Sequence, residues 1–259
     1  MSVITLTTDF GLQDHFVGVM KGVIFRINPS VKLVDLVHEL PPQGLTQAAF
    51  ILLSAFPYFP AGTIHLGVVD PGVGTNRAVI AIQAENQTFV GPDNGLFSYV
   101  LDEAASFEAR YIENPVLTLP EISRTFHGRD YMAPAAAHLS LGFAFKEVGP
   151  LATGPVRLAP LKPEIKPDFI EGRVVYIDRF GNLITNIPVK ECNGWNLDIS
   201  AGSVTLKGLA PSYRAVKPGE YMAIAGSSGF LEIARSMGSA ENSPDLTLET
   251  PVLIRRSPK

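Results

Sequence analysis

Apolar and polar positions alternate along VITLTTD (residues 3 to 9), which predicts a strand that ends on an acid shortly before Gly11. From Asp14, apolar residues recur at Phe16, Met20, Val23, Ile24 and Ile27 until Asn28-Pro29. That is helical spacing with a stop signal, and Asp14 stands where an N-cap is expected. KLVDLV (32 to 37) predicts a second strand, and GLTQAAFILLSAF (44 to 56) a second helix, capped by Thr46 and closed before Pro57. TIHLGVV (63 to 69) predicts a third strand, ending at Asp70. RAVIAIQ (77 to 83) and TFVGP (88 to 92) read as a hairpin that extends the sheet. GLFSYVLDEA (95 to 104) reads as a short amphipathic helix, and YMAPAAAHLSLG (131 to 142) as a helix with Pro134 near its first turn.

Strands alternating with helices at this spacing predict an α/β domain with a largely parallel sheet. Ligands of such sheets bind outside the carboxyl ends of the strands, so Asp9 and Asp70, both at strand ends, are expected to face one crevice. This N-terminal α/β domain is assigned to residues 1–149. Prolines at 150, 155, 160, 163 and 167, without a periodic run, predict an extended linker over 150–168. Beyond it the pattern changes to short alternating runs such as FIEGRVVYID, EYMAIAG and GFLEIAR, broken by Gly and Pro. They predict a smaller C-terminal antiparallel β-sandwich or barrel domain over 169–259.

Composition narrows the function. A chain of 259 residues with 46% hydrophobic content can bury a sizeable core. A charged fraction of 18% and a net charge of -4 advertise no basic surface, so nucleic acid is not an expected partner. The single cysteine, Cys192, excludes an internal disulfide and fits a reducing compartment. The longest apolar stretches, such as AAFILLSAF (48 to 56), are too short to span a bilayer, and the first residues lack the pattern of a secretion signal. The expectation is a cytoplasmic protein with no membrane partner.

Five constellations carry candidate chemistry. In TTDFGLQD, Asp9 could hold the vicinal hydroxyls of a ribose, although no GxGxxG follows the strand. In VVDPGVGTNR, Asp70 and Arg77 flank a Pro/Gly turn, and taken locally they make a surface ion pair worth about 0 to 1 kcal/mol. His127, in FHGRD, stands out among the histidines by its Gly and charged neighbours; a neutral imidazole there could orient and deprotonate a water. DRFGN (178 to 182) suits a hairpin turn, or an adenine reader in which Phe180 stacks and Asn182 bonds the base edge. The SSG loop, 227 to 229, is either a polar loop or a carboxylate receptor.

Taken in order, TTDFG, VVDPGVGTNR, GPDNGL, FHGRD, DRFGN and SSGFLEIAR resemble the S-adenosylmethionine hydroxide adenosyltransferases, water-using relatives of the fluorinating and chlorinating adenosyl enzymes. The resemblance implies displacement of methionine from the adenosyl 5′ carbon by water or hydroxide, giving adenosine and L-methionine, with the (R)-sulfonium epimer a candidate substrate. It implies a catalytic Asp70, Arg77 and His127, with His127 the leading proton acceptor. It further implies Asp9 on the ribose, Asp14 near the methionine amine, and Gly128 in the substrate site. Asp178, Phe180 and Asn182 would hold adenine, Ser227 and Ser228 the methionine end, and Phe230 would back the adenine or the loop. Ser228 departs from relatives that carry Arg there. No metal or other cofactor is implied. The implied assembly is a homotrimer with substrate between the N-terminal domain of one subunit and the C-terminal domain of a neighbour. Two other readings compete: a metal-dependent hydrolase using Asp9, Asp14, Asp70, His15 and His127, and an adenosine or S-adenosylmethionine binding protein without turnover.

Overall fold

A computed structural model describes residues 2–194 and 196–257. The chain divides into two units, Met1–Ala159 and Pro160–Lys259. In the first, strands β1 (Val3–Thr8), β2 (Lys32–Val37), β3 (Ile64–Val68), β4 (Val79–Ala84), β5 (Gln87–Pro92) and β6 (Phe107–Tyr111) form one sheet in the order β2-β1-β3-β5-β4-β6. The β2, β1, β3 and β5 pairings are parallel, and β4 runs antiparallel to both β5 and β6.

Strand periodicity builds the layers. Val79 and Ala81 enter the core under helices α1 (Phe16–Ile27) and α4 (Ala133–Ser140), while Ile80 and Ile82 enter a second core under α2 (Leu45–Ala55) and α3 (Ser98–Glu103). The result is a helix–sheet–helix sandwich, the expected α/β class. Three local expectations change. The α1 N-cap is His15, with Asp14 exposed outside the helix, and neither helix start has a side-chain cap. Helix α2 starts from Gly44, which puts Thr46 inside its first turn. Helix α4 is entered through a π-type turn, 128–132, because Ala133 N–H bonds the Gly128 carbonyl.

In the second unit, β7 (Glu164–Ile165), β8 (Phe169–Ile177), β9 (Leu183–Pro188), β10 (Asn196–Ala201), β11 (Val204–Lys207), β12 (Tyr221–Ala225), β13 (Phe230–Arg235) and β14 (Pro251–Ser257) form an antiparallel sheet. Its order is β11-β10-β14-β8-β9-β13-β12, with β7 on β8, and a bridge between Ala210 and Ile224 brings the ends close to closing a barrel. Ile170, Val174, Leu231, Ile233, Val252 and Ile254 fill the interior. The proline-rich stretch 150–168 contains β7 and a bridge from Leu151 to Arg110, and its first half is tied to the first unit: Val156 N–H donates to Asp93 and Leu158 N–H to Ser98.

Candidate active site

Strand β3 delivers Val68 and Val69 buried and releases Asp70 at its carboxyl end. The chain then turns: Val73 N–H donates to Asp70 O at 3.2 Å, and Thr75 N–H and Oγ1 donate to Gly72 O at 3.1 and 2.7 Å. Gly74 has φ +78°, and a Cβ there would overlap the carbonyl oxygen of Arg124, so the turn has no room for another residue. Outside the turn, Asn94 Nδ2 donates to Val69 O at 2.9 Å and steadies the strand exit. That is what GPDNGL does here.

The turn brings Arg77 back onto Asp70. Arg77 Nε donates to Oδ1 at 2.8 Å and to Oδ2 at 2.9 Å, and Nη2 also donates to Oδ2. With side chains 5% and 10% exposed, the pair is withdrawn from water, unlike the surface pair that local sequence suggests. Nη2 also reaches His127 Nδ1 at 2.8 Å. A guanidinium only donates, so Nδ1 accepts and the neutral ring carries its proton on Nε2. Burial, then the Arg77 charge, hold the His127 pKa below its ordinary value, against Asp70 and Asp130, which raise it. The ring is therefore a neutral donor through Nε2. To accept a proton the ring must take it on Nδ1, giving up the Arg77 hydrogen bond and becoming imidazolium beside a guanidinium.

Asp9, Asp70, His127 and Gly128 line one cleft of about 450 Å³. Its apolar wall is Phe10, Phe16 and Phe126, packed on one another with ring centroids 5.3 to 5.9 Å apart. Asp9 Oδ2 accepts the backbone N–H of Gln43 at 2.8 Å, fixing the carboxylate on the rim. At Gly128 a Cβ would press on Val68 and Met20. Of the residues expected here, neither Asp14, which is exposed, nor Arg77, which reaches the site through Asp70 and His127, lines the cleft. Among the described residues no three His, Cys, Asp or Glu side chains are grouped to hold a metal ion. The donor set itself suits a cation poorly, since Asp70 and His127 both face the guanidinium of Arg77.

The remaining expected residues lie in the second unit. Asp178 shapes its turn: Oδ1 accepts from Phe180 N and Asn182 N at 2.8 and 2.9 Å, and Oδ2 from Asn182 Nδ2 at 2.9 Å. Gly181 takes φ +77°. The turn leaves Phe180 78% exposed, an open aromatic face, and leaves Asn182 one amide hydrogen and its Oδ1. Ser227 and Ser228 sit on the loop between β12 and β13, closed by Gly226 N–H to Phe230 O at 2.9 Å.

Sequence reasoning passed over Glu232, buried next to Gly226 with Tyr213 Oη donating to it at 2.7 Å. Burial raises its pKa, and the Asp178 charge adds to that. It also passed over Phe10, Phe16, Gln43 and Asp130. Three of these lay inside quoted motifs: Phe10 in TTDFG, Asp130 in FHGRD and Glu232 in SSGFLEIAR.

Fold and cleft together define a two-unit protein, α/β followed by a β-barrel, with a small-molecule site at its parallel strand ends. The chain belongs to the SAM hydroxide adenosyltransferase family: residues 4–149 match the model of its N-terminal domain and residues 172–253 that of its C-terminal domain. It is 39% identical over 263 residues to the (R)-S-adenosyl-L-methionine hydrolase of Thermus thermophilus, covering 98% of this chain and 100% of that one. It is 42% identical over 187 residues to the protein of the same name from Salinispora tropica, covering 70% of each. A crystal structure of an uncharacterized conserved protein from Thermotoga maritima superposes with a TM-score of 0.91 at 38% identity, covering 98% of this chain and 100% of that one.

Proposed function

We propose that this chain hydrolyses (R)-S-adenosyl-L-methionine to adenosine and L-methionine. The observation that carries this reading is the hydrogen-bonded line Asp70–Arg77–His127 opening on an apolar cleft, in a chain of this family. Hydroxide attacks the adenosyl C5′, or water does so with loss of a proton to solvent; the O–C5′ bond forms as the C5′–S bond breaks, and sulfur keeps the electron pair. The sulfonium is already a good leaving group, so the protein's task is alignment, which contributes on the order of several kcal/mol. His127, held as the Nε2–H tautomer, donates to the nucleophile's oxygen, an arrangement that favours hydroxide over neutral water. Arg77 fixes that tautomer, and Asp70 fixes Arg77.

Asp9, held by Gln43 N–H, receives the ribose hydroxyls, and Gly128 lets the backbone approach the substrate. Asp14 approaches the methionine amine. Phe180 and Asn182 read adenine on the turn that Asp178 braces, while Ser227, Ser228 and Phe230 receive the methionine end. No metal or cofactor takes part. The enzyme works as a homotrimer that pairs the N-terminal unit of one subunit with the C-terminal unit of a neighbour, and it acts in the cytoplasm, as its single buried Cys192 suits.

Incubation with each purified sulfonium epimer in H₂¹⁸O, followed by chromatography and mass spectrometry, tests this. Adenosine labelled at the 5′ oxygen, formed faster from the (R) epimer and lost in His127→Ala, is the expected result. No adenosine above the buffer control would falsify it.

A further inference from the structure

We infer that Asp130 is a positioning residue for this reaction, a buried clamp that holds the 119–126 loop and thereby sets His127 and the Arg77 turn together. The inference rests on the proposed hydrolysis.

Asp130 is fully buried inside the π-type turn that follows His127. Its Oδ2 accepts the backbone N–H of Ser123 at 2.8 Å and Arg129 Nη2 at 3.0 Å, and its Oδ1 accepts Arg129 Nε at 2.5 Å. Its carbonyl accepts Leu119 N–H at 2.9 Å. That carbonyl is free for a reason written in the sequence: Pro134, one helical turn on, has no N–H to give it. One residue therefore ties down the loop at two points. Ser123 continues the tie, its Oγ accepting Phe126 N–H at 3.0 Å.

What the loop holds is the site. Its far end supplies Thr125 and Phe126 to the cleft and leads into His127. Its Arg124 carbonyl lies against Gly74, the tightest point of the turn between Asp70 and Arg77. The loop thus touches the turn that carries Asp70 and Arg77 and runs directly into His127, and the carboxylate of Asp130 anchors it. An active-site buttress explains a buried acid here better than the ion pair to Arg129 does, because Arg129 remains about a third exposed.

Asp130 also acts through charge. The charged and titratable groups facing His127 are Asp70 and Arg77 from the turn, and Asp130 and Tyr131 from its own. Asp130 and Asp70 oppose the downward pull of burial and Arg77. Removing the Asp130 charge moves the His127 titration further down.

The test compares wild type with Asp130→Asn and Asp130→Glu. Three readouts are taken: kcat and KM on the (R) epimer, the pH profile, and the ring titration of ¹³C-labelled His127, assigned with His127→Gln. Expected for Asp130→Asn is a kcat loss of about 10- to 100-fold with KM within a few-fold, and a His127 titration displaced to lower pH. Asp130→Glu should recover part of both. A folded Asp130→Asn enzyme with unchanged kcat and unchanged His127 titration would overturn the inference. So would failure of both variants to fold, which would assign Asp130 to the stability of the unit. Because the titration is read without turnover, a shift in a protein that releases no adenosine would mean the clamp stands and the proposed reaction fails.

Discussion

A guanidinium between a carboxylate and an imidazole nitrogen does two jobs that a lysine cannot share. Arg77 spans both oxygens of Asp70 and reaches Nδ1 of His127 with the same group, whereas an ammonium is a point charge on a flexible stem. Arg77→Lys is expected to lower kcat by about 100-fold or more, while circular dichroism shows an intact fold; activity within a few-fold of wild type would remove Arg77 from the mechanism. The pH dependence follows from the same contact. His127 is held below its ordinary pKa, first by burial and then by Arg77, so it remains the neutral donor as pH falls through 6.5. The limb of kcat/KM that reports His127 is therefore expected below 6.5, apart from any rise with hydroxide at higher pH, and a His127 ring titration at or above that value contradicts the neutral donor. The residues of this line were legible in VVDPGVGTNR and FHGRD once their order was compared with a known family. The tautomer was not, because it depends on which atom of a distant side chain faces Nδ1.

At the scale of elements, β3 carries a second histidine with no part in the cleft. His65 is fully buried, with Nδ1 at 2.8 Å from Thr5 Oγ1 and Nε2 at 2.5 Å from Gln87 Oε1. Gln87 Nε2 donates to the carbonyls of Phe56 and Phe59, which aims its oxygen at the ring and leaves Nε2 of His65 as donor. Burial lowers the pKa to about 4. The unfolded chain thus binds the proton more readily, so this stabilisation is complete above 6.5 and is lost as pH falls from there toward 4. Urea unfolding is expected to show about 2 kcal/mol less stability at pH 5 than at pH 8 from this group, with a flatter profile in His65→Gln; equal slopes in both proteins would refute it. The turn after β3 yields another expectation. Gly74→Ala meets both a positive φ and the Arg124 carbonyl, so the loop must shift. Activity should fall more than tenfold with His127 still neutral by its ring resonances. Most strands and helices were legible from periodicity, although β6, β7 and β10 were not predicted, and the caps were not legible: nothing in the local pattern distinguishes Gly44 from Thr46 as the point where α2 starts.

At the scale of the whole molecule, the expected site residues divide between two units, Asp70 and His127 in the first, Phe180 and Asn182 in the second. The homotrimer proposal predicts a sedimentation mass of three 27.9 kDa chains. It also predicts that co-expressed Asp70→Asn and Asn182→Ala chains, each inactive alone, recover activity when they assemble. A monomer, or mixed chains without activity, counts against it. The sequence by itself determined most of the elements and their class, since strand and helix periods record which side chains face a core, and that is a local property. It also determined the strand-end place of Asp9 and Asp70 and, through ordered motifs, the family. Tertiary structure decided the rest. The burial of the Asp70–Arg77 pair and the Arg77 contact that orients His127 are tertiary, and the Asp130 clamp holds a 119–126 loop that has no periodicity and no regular strand or α-helix. Its path is set by a carboxylate and a carbonyl freed by a proline. The Arg77–His127 bond joins residues 50 apart, and the Asp130–Ser123 tie, though only seven residues long, follows no helix or strand period, so neither is recorded in the local pattern.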